Sequence, residues 1–188
     1  MGRGALIFPA RFPESFSAYG PSAGNILWNV VDELRKRLEL TKFPTLEAMM
    51  ADYAEAAAER ARRQFRQKLD FTGESIDALD EILVLVGEGP EFDLDFEVRL
   101  WGSYLGEVVR RRYAGNWEMT QYPGGPGVSE AMPGTAGGPV AVPAVEVRGS
   151  RVLPLMKVHR RLTEGQEEDL QAFFTMVTER LGRPARVN

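Results

Sequence analysis

The stretch Trp101–Trp117, WGSYLGEVVRRRYAGNW, places two glycines, Gly102 and Gly106, one turn apart in what reads as an amphipathic helix. Glycine in a helix interior costs about 1 kcal/mol relative to alanine. A pair at i and i+4 shares one face, and close approach of another backbone is the simplest reason for it. The segment is therefore expected to mark the centre of the fold. Trp101, Tyr104, Tyr113 and Trp117 read as core aromatics whose polar tips find local partners.

Working outward, helical periodicity dominates the chain before this segment and gives way after it. Leu27, Val30, Val31, Leu34 and Leu38 form an apolar stripe over residues 25–40. Thr45 is placed to cap a long helix over residues 46–69, with acids early and bases late. Ser75 is expected to cap a helix over 76–86, stopped by Gly87. Phe92, Leu94 and Phe96 alternate with Asp93, Asp95 and Glu97, which suggests a strand-like edge with one wet face before the glycine-bearing helix begins near Phe96. Beyond Trp117 the period changes to two. Residues 117–122 and 140–147 read as strands, the second an edge strand or bulge because of Pro143. Gly149-Ser150 turns the chain into a short strand near Val152. Pro154 opens a short helix, and a closing helix spans about 167–181. Helices first, a small late antiparallel sheet and a C-terminal helix make an α+β fold.

The chain, 188 residues long, fits one domain. Residues 1–23 are rich in Gly, Pro and aromatics (Phe8, Phe12, Phe16, Tyr19) and read as an arm, docked on the body or on another subunit. Residues 24–188 read as the α+β domain, with a flexible Gly/Pro-rich loop at about 123–139. The chain contains no cysteine, which excludes disulfides, thiolate metal sites and cysteine nucleophiles. Net charge is −4, so no global basic field attracts nucleic acid, and no apolar run reaches the roughly 20 residues of a membrane span. A cytoplasmic location is expected.

LDFTGESIDALDEIL, GSYLGEVVRRRYAGNW, a hairpin and VLPLMKVHRRLTEGQEEDL together resemble a family of small bacterial proteins of unknown function. The resemblance covers about residues 46–181. Its most specific part is G-x-Y-L-G-E-V, Gly102–Val108, followed by G-x-W, Gly115–Trp117. It implies one compact domain, and it carries over no activity and adds no catalytic residue.

The candidate site residues each admit two readings. Glu107 precedes Arg110 and Arg111 by three and four residues, which suits a helical ion pair. Alternatively it is a carboxylate in a pocket left open by the glycines. The general weakness of such pairs as functional signals favours the first reading. Arg110, Arg111 and Arg112 form one basic cluster, and Lys157, His159, Arg160 and Arg161 a second. With the two helices side by side these would make an anion site; otherwise they complement helix dipoles and nearby acids. His159, the only histidine, titrates near neutrality but has no nucleophile or orienting carboxylate nearby in sequence. The acids Asp77, Asp80, Glu81, Glu91, Asp93, Asp95 and Glu97 lack the EF-hand pattern. GGPGVS, residues 124–129, lacks G-K-[ST] and loses amide donors to proline. No metal site and no cofactor are expected.

Three functions compete on this basis. A non-enzymatic binding or protein-interaction module, with a protein partner or a second copy, accords best with abundant apolar faces and no recognisable catalytic motif. A small enzyme would need Glu107, His159 and arginines to converge on one pocket. Phosphate or nucleic-acid binding through the arginines is disfavoured by the acidic balance.

Overall fold

A computed structural model describes residues 21–88, 93–122 and 139–182, with side chains from Val30 onward. The described elements are α1 (Pro21–Leu40), α2 (Leu46–Arg60), α3 (Ser75–Gly87), α4 (Leu94–Tyr113), β1 (Asn116–Tyr122), β2 (Val140–Val147), β3 (Ser150–Val152), α5 (Pro154–Glu164) and α6 (Leu170–Leu181). The fold is α+β, mostly helical, with one three-stranded antiparallel sheet in the order β1-β2-β3.

The centre of this arrangement is α4. It packs against α2, α5 and β2, and Leu100 to Val109 is buried without interruption. This corrects the amphipathic reading. A helix enclosed on every side has no wet face, and its polar residues must find protein partners. Ser103 does so by donating to the Arg99 carbonyl (2.6 Å), with Met50 Sδ 3.3 Å from its Oγ. Tyr104 Oη accepts from the Phe71 amide (2.8 Å) and bonds Ser75 Oγ at 2.6 Å.

The two glycines are points of close approach. A Cβ built on Gly102 would stand 2.7 Å from the Leu155 Cα, and one on Gly106 would stand 2.2 Å from the Trp117 ring and 2.9 Å from Pro154 Cγ. The start of α5 is thus laid on α4, and the pairing sets their relative direction. Pro154 meets Gly106 and Leu155 meets Gly102, while His159 lies near Leu94, Asp95 and Val98, so the two helices are antiparallel. A third glycine, Gly115, lets the chain leaving α4 pass the β2 backbone, where a Cβ would come within 2.7 Å of the Glu146 carbonyl oxygen.

Much of the local punctuation operates as expected. Thr45 Oγ1 accepts from the Ala48 amide and caps α2. Pro154 occupies the first turn of α5, where a missing N–H costs nothing. The turn falls one residue earlier than Gly149-Ser150: Arg148 and Gly149, both at positive φ, form it between Val147 and Ser150, and Ser150 already belongs to β3, as the twist of a tight hairpin requires. Pro143 sits in the middle strand rather than an edge strand. Its partner is Met119 of β1, and β3 pairs with Val145–Val147, so among the described residues the strand has no partner on its other side beside Pro143.

Other expectations are corrected. Residues 21–23 open α1 instead of ending an arm; residues 1–20 and 123–138 lie outside the described residues. The long helix stops short of Leu69. It widens to a π-helical turn over Ala61–Phe65 and ends at Arg66, which adopts the left-handed conformation at φ 59°. Ser75 does not cap α3; its hydroxyl donates to the Thr72 carbonyl and meets Tyr104 instead. Residues 94–97 are helical, not strand-like. Asp93 caps α4 by accepting from the Phe96 amide, and Asp95 and Glu97 fill its first turn. The closing helix begins at Leu170, capped by Asp169, after a short 3-10 turn at Gln166–Glu168.

Candidate functional site

Glu107 is fully enclosed, and its carboxylate accepts four hydrogen bonds. Arg110 supplies Nε (2.6 Å) and Nη2 (3.0 Å), Arg111 supplies Nε (2.9 Å) and Trp117 supplies Nε1 (2.9 Å). The ion pair at i+3 and i+4 is therefore real, but it belongs to a larger network. Arg110 reaches on to Glu47 and Arg111 to Glu55, so both guanidinium groups tie α4 to α2. Arg111 also stacks 3.6 Å from the centre of the Phe71 ring. Burial pushes the Glu107 carboxyl up, yet the bonds from Arg110, Trp117 and Arg111 outweigh it and hold the group below its ordinary 4.5. A carboxylate with every acceptor direction filled and a depressed pKa is a poor proton acceptor for substrate.

The sign of that shift gives a stability prediction. A carboxyl whose folded pKa is depressed stabilises the fold above its unfolded value, and the contribution is lost as pH falls through the folded value. Denaturant unfolding is expected to show stability falling below about pH 4.5, with a smaller loss in Glu107→Gln. Equal acid dependence in the two proteins would remove Glu107 from the account.

The basic clusters do not meet. The helices α4 and α5 lie side by side, as the anion-site reading requires, but antiparallel, which sends Arg110, Arg111 and Arg112 to one end and Lys157, Arg160 and Arg161 toward the other. Each charge of the second cluster is also engaged. Arg161 makes a two-bonded pair with Asp80 (2.7 and 2.9 Å), Lys157 holds Glu168 (2.6 Å), and Arg160 bridges Glu164 and Glu168. Arg112 lies by the Tyr113 and Phe174 rings.

Sequence reasoning missed a second buried ion pair. Arg60 on α2 donates Nη1 to both Glu97 oxygens at 2.7 Å, and the two residues are 5% and 2% exposed. Trp101 Nε1 also donates to Glu97 (2.7 Å), and Gln64 accepts from Arg60 Nε (2.8 Å). One signal was present: Glu97 stands four residues before Trp101, whose indole can only donate. Arg60 gave none, being the first of several arginines from the end of α2 through the π-helical turn that follows.

Where His159 lies is different again. It lines a cavity of about 180 Å³ formed by Met49, Met50 and Tyr53 of α2, Leu94, Asp95, Val98 and Arg99 of α4, Val142 and Pro143 of β2, and Leu155 and Met156 of α5. Glu107, Arg110, Arg111 and Arg160 do not line it. Asp95 and Arg99 are paired with each other at 2.5 Å. Burial pushes the His159 imidazole below its ordinary 6.5, with Glu164 opposing. A second cavity of about 200 Å³ lies between β3 and α6, lined by Val152, Phe173, Met176 and Arg180 among others.

Among the described residues no three His, Cys, Asp or Glu are grouped to hold a metal ion, and no helix is long and apolar enough to cross a membrane. Comparisons with family models, curated proteins and solved structures find no match for the chain.

Proposed function

We propose that the protein is a non-enzymatic binding module that engages a protein partner or a second copy through the cavity between α2, α4, β2 and α5. The observation that carries this reading is the division of labour in the molecule. The buried charged groups close on one another, whereas the cavity at His159 is lined mainly by methionine, tyrosine, valine and leucine. Concave, mostly apolar sites with a few polar groups are where ligands bind. Methionine suits such a surface because its flexible thioether adapts to varied shapes. An enzyme built on Glu107 and His159 needs both at one pocket, and only His159 lines this one. A phosphate site needs free guanidinium groups, whereas Arg110, Arg111, Arg160 and Arg161 are committed to carboxylates.

The test compares the protein with Val98→Phe, which fills the cavity. Light scattering and cross-linking in extract are expected to show a dimer or a defined partner with the parent protein and to lose it in the variant. A monomer with no partner, or identical partners for both proteins, would overturn the reading.

A further inference from the structure

The cavity's size and lining narrow the class of ligand, an inference that rests on the cavity being the binding site. An apolar cavity of roughly 150 Å³ holds one benzene, so about 180 Å³ accommodates one ring with a small substituent. Met49, Met50 and Met156 contribute to its wall, the Met50 sulfur lying against Ser103 and the other two methionines half-buried, and thioether sulfur makes favourable contacts with aromatic rings. The polar lining is sparse. Asp95 and Arg99 are spent on each other. The Tyr53 hydroxyl and the His159 imidazole have no hydrogen-bond partner among the described residues. A half-buried imidazole whose protonation burial disfavours offers one donor and one acceptor nitrogen in its neutral form, and a hydroxyl complements either.

We propose that this cavity binds a p-hydroxyphenyl group, with the ring among Met49, Met50 and Met156 and the hydroxyl hydrogen-bonded to His159. The group can come from a free phenol or from a tyrosyl side chain of a partner, and the two sources share this chemistry.

The experiment labels the methionine methyl groups of the full chain with carbon-13 and titrates p-cresol, toluene, methylcyclohexane and N-acetyltyrosinamide by NMR. The Met49, Met50 and Met156 methyl signals are expected to shift saturably with p-cresol. Toluene should bind about threefold to tenfold more weakly, the range of one neutral hydrogen bond, and methylcyclohexane more weakly still. In His159→Leu, p-cresol and toluene should become equal while toluene binding persists, which also shows that the variant is folded. Binding of N-acetyltyrosinamide identifies a tyrosyl side chain as an admissible source; its exclusion with p-cresol bound identifies a free phenol. No methyl shift with p-cresol, equal affinity for p-cresol and toluene in the parent protein, or a p-cresol advantage that survives in His159→Leu would overturn the proposal. A partner lost on Val98→Phe without any phenol binding would leave the binding module standing and reject only the ligand class. Phenol binding with partners unchanged in Val98→Phe would do the reverse.

Discussion

Gly106→Leu is expected to destabilise the protein by about 3 kcal/mol or more, at the upper end of what overpacking costs. The first added atom already stands 2.2 and 2.3 Å from two carbons of the Trp117 ring, with Pro154 at 2.9 Å on another side. The indole cannot simply withdraw, because its Nε1 donates to the enclosed carboxylate of Glu107. Moving the ring therefore strands a buried donor and removes one of the carboxylate's four bonds, a second cost on top of the clash. Gly106→Ala separates the two effects. Alanine gains about 1 kcal/mol in helix propensity, so any net loss measured by denaturant unfolding reports packing alone. Gly87→Ala is the control: among the described residues its Cβ would meet nothing nearer than Leu162 at 4.0 Å, and it is expected to be neutral or stabilising. Unchanged stability in both Gly106 variants would refute the close-packing account of the helix.

Arg60→Ala or Glu97→Ala is expected to cost about 3–5 kcal/mol, because either change leaves an uncompensated charge in a nearly solvent-free site. The Glu97 change also strands the Trp101 N–H. Double replacement by apolar residues, Arg60→Met with Glu97→Leu, is expected to recover most of that loss, because desolvating both charges consumed much of the attraction between them. The thermal midpoint follows, at roughly 2–4 °C per kcal/mol for a chain of this size. A double variant as unstable as the sum of the singles would show that the pair acts through something other than mutual neutralisation.

What the sequence discloses is largely what local chemistry decides. Thr45, Pro154, Gly149 and the period-two runs at 117–122 and 140–147 each act within a few residues of themselves, and each marks its element correctly. Gly102 and Gly106 announce a close approach, though not that Leu155 and Trp117 make it. The residues that mislead are those whose partners are distant. Ser75 looks like a cap, but Tyr104 draws its hydroxyl away. Residues 92–97 alternate like a strand because the acids of a first helical turn happen to fall between apolar residues; the Asp93 cap decides otherwise. The two arginine clusters are plain in the sequence. Their separation depends on the antiparallel direction of α5, which no local pattern states. The cavity is the least legible feature, since its wall is assembled from four elements, and of its lining only His159 and Asp95 stand among the candidate residues of the sequence.

The segment Gly102–Trp117 reads, in the structure, as a packing kernel. Gly102 and Gly106 admit α5 and Trp117; Tyr104 ties down the Phe71 turn; Glu107 receives the Trp117 indole; Gly115 lets the chain pass β2. Every residue of the quoted pattern whose contacts are given thereby serves the assembly of α4 with its neighbours, and none of them lines the cavity at His159. A signature of this kind records how a fold is held together.

The same kernel bears on the route by which the chain reaches its native state. A protein this rich in helix invites comparison with bundles, which fold quickly because their contacts are local. Here α4 is closed on one side by α2, which precedes it, and on another by α5, which follows only after the whole sheet. The seat for Leu155 on Gly102 exists as soon as α4 forms, but the chain must complete a long closure before filling it, and that entropy is spent before any contact rewards it. The search for that closure, rather than helix formation, is therefore expected to set the pace, and a chain caught before it would leave the apolar face of α4 open to other chains.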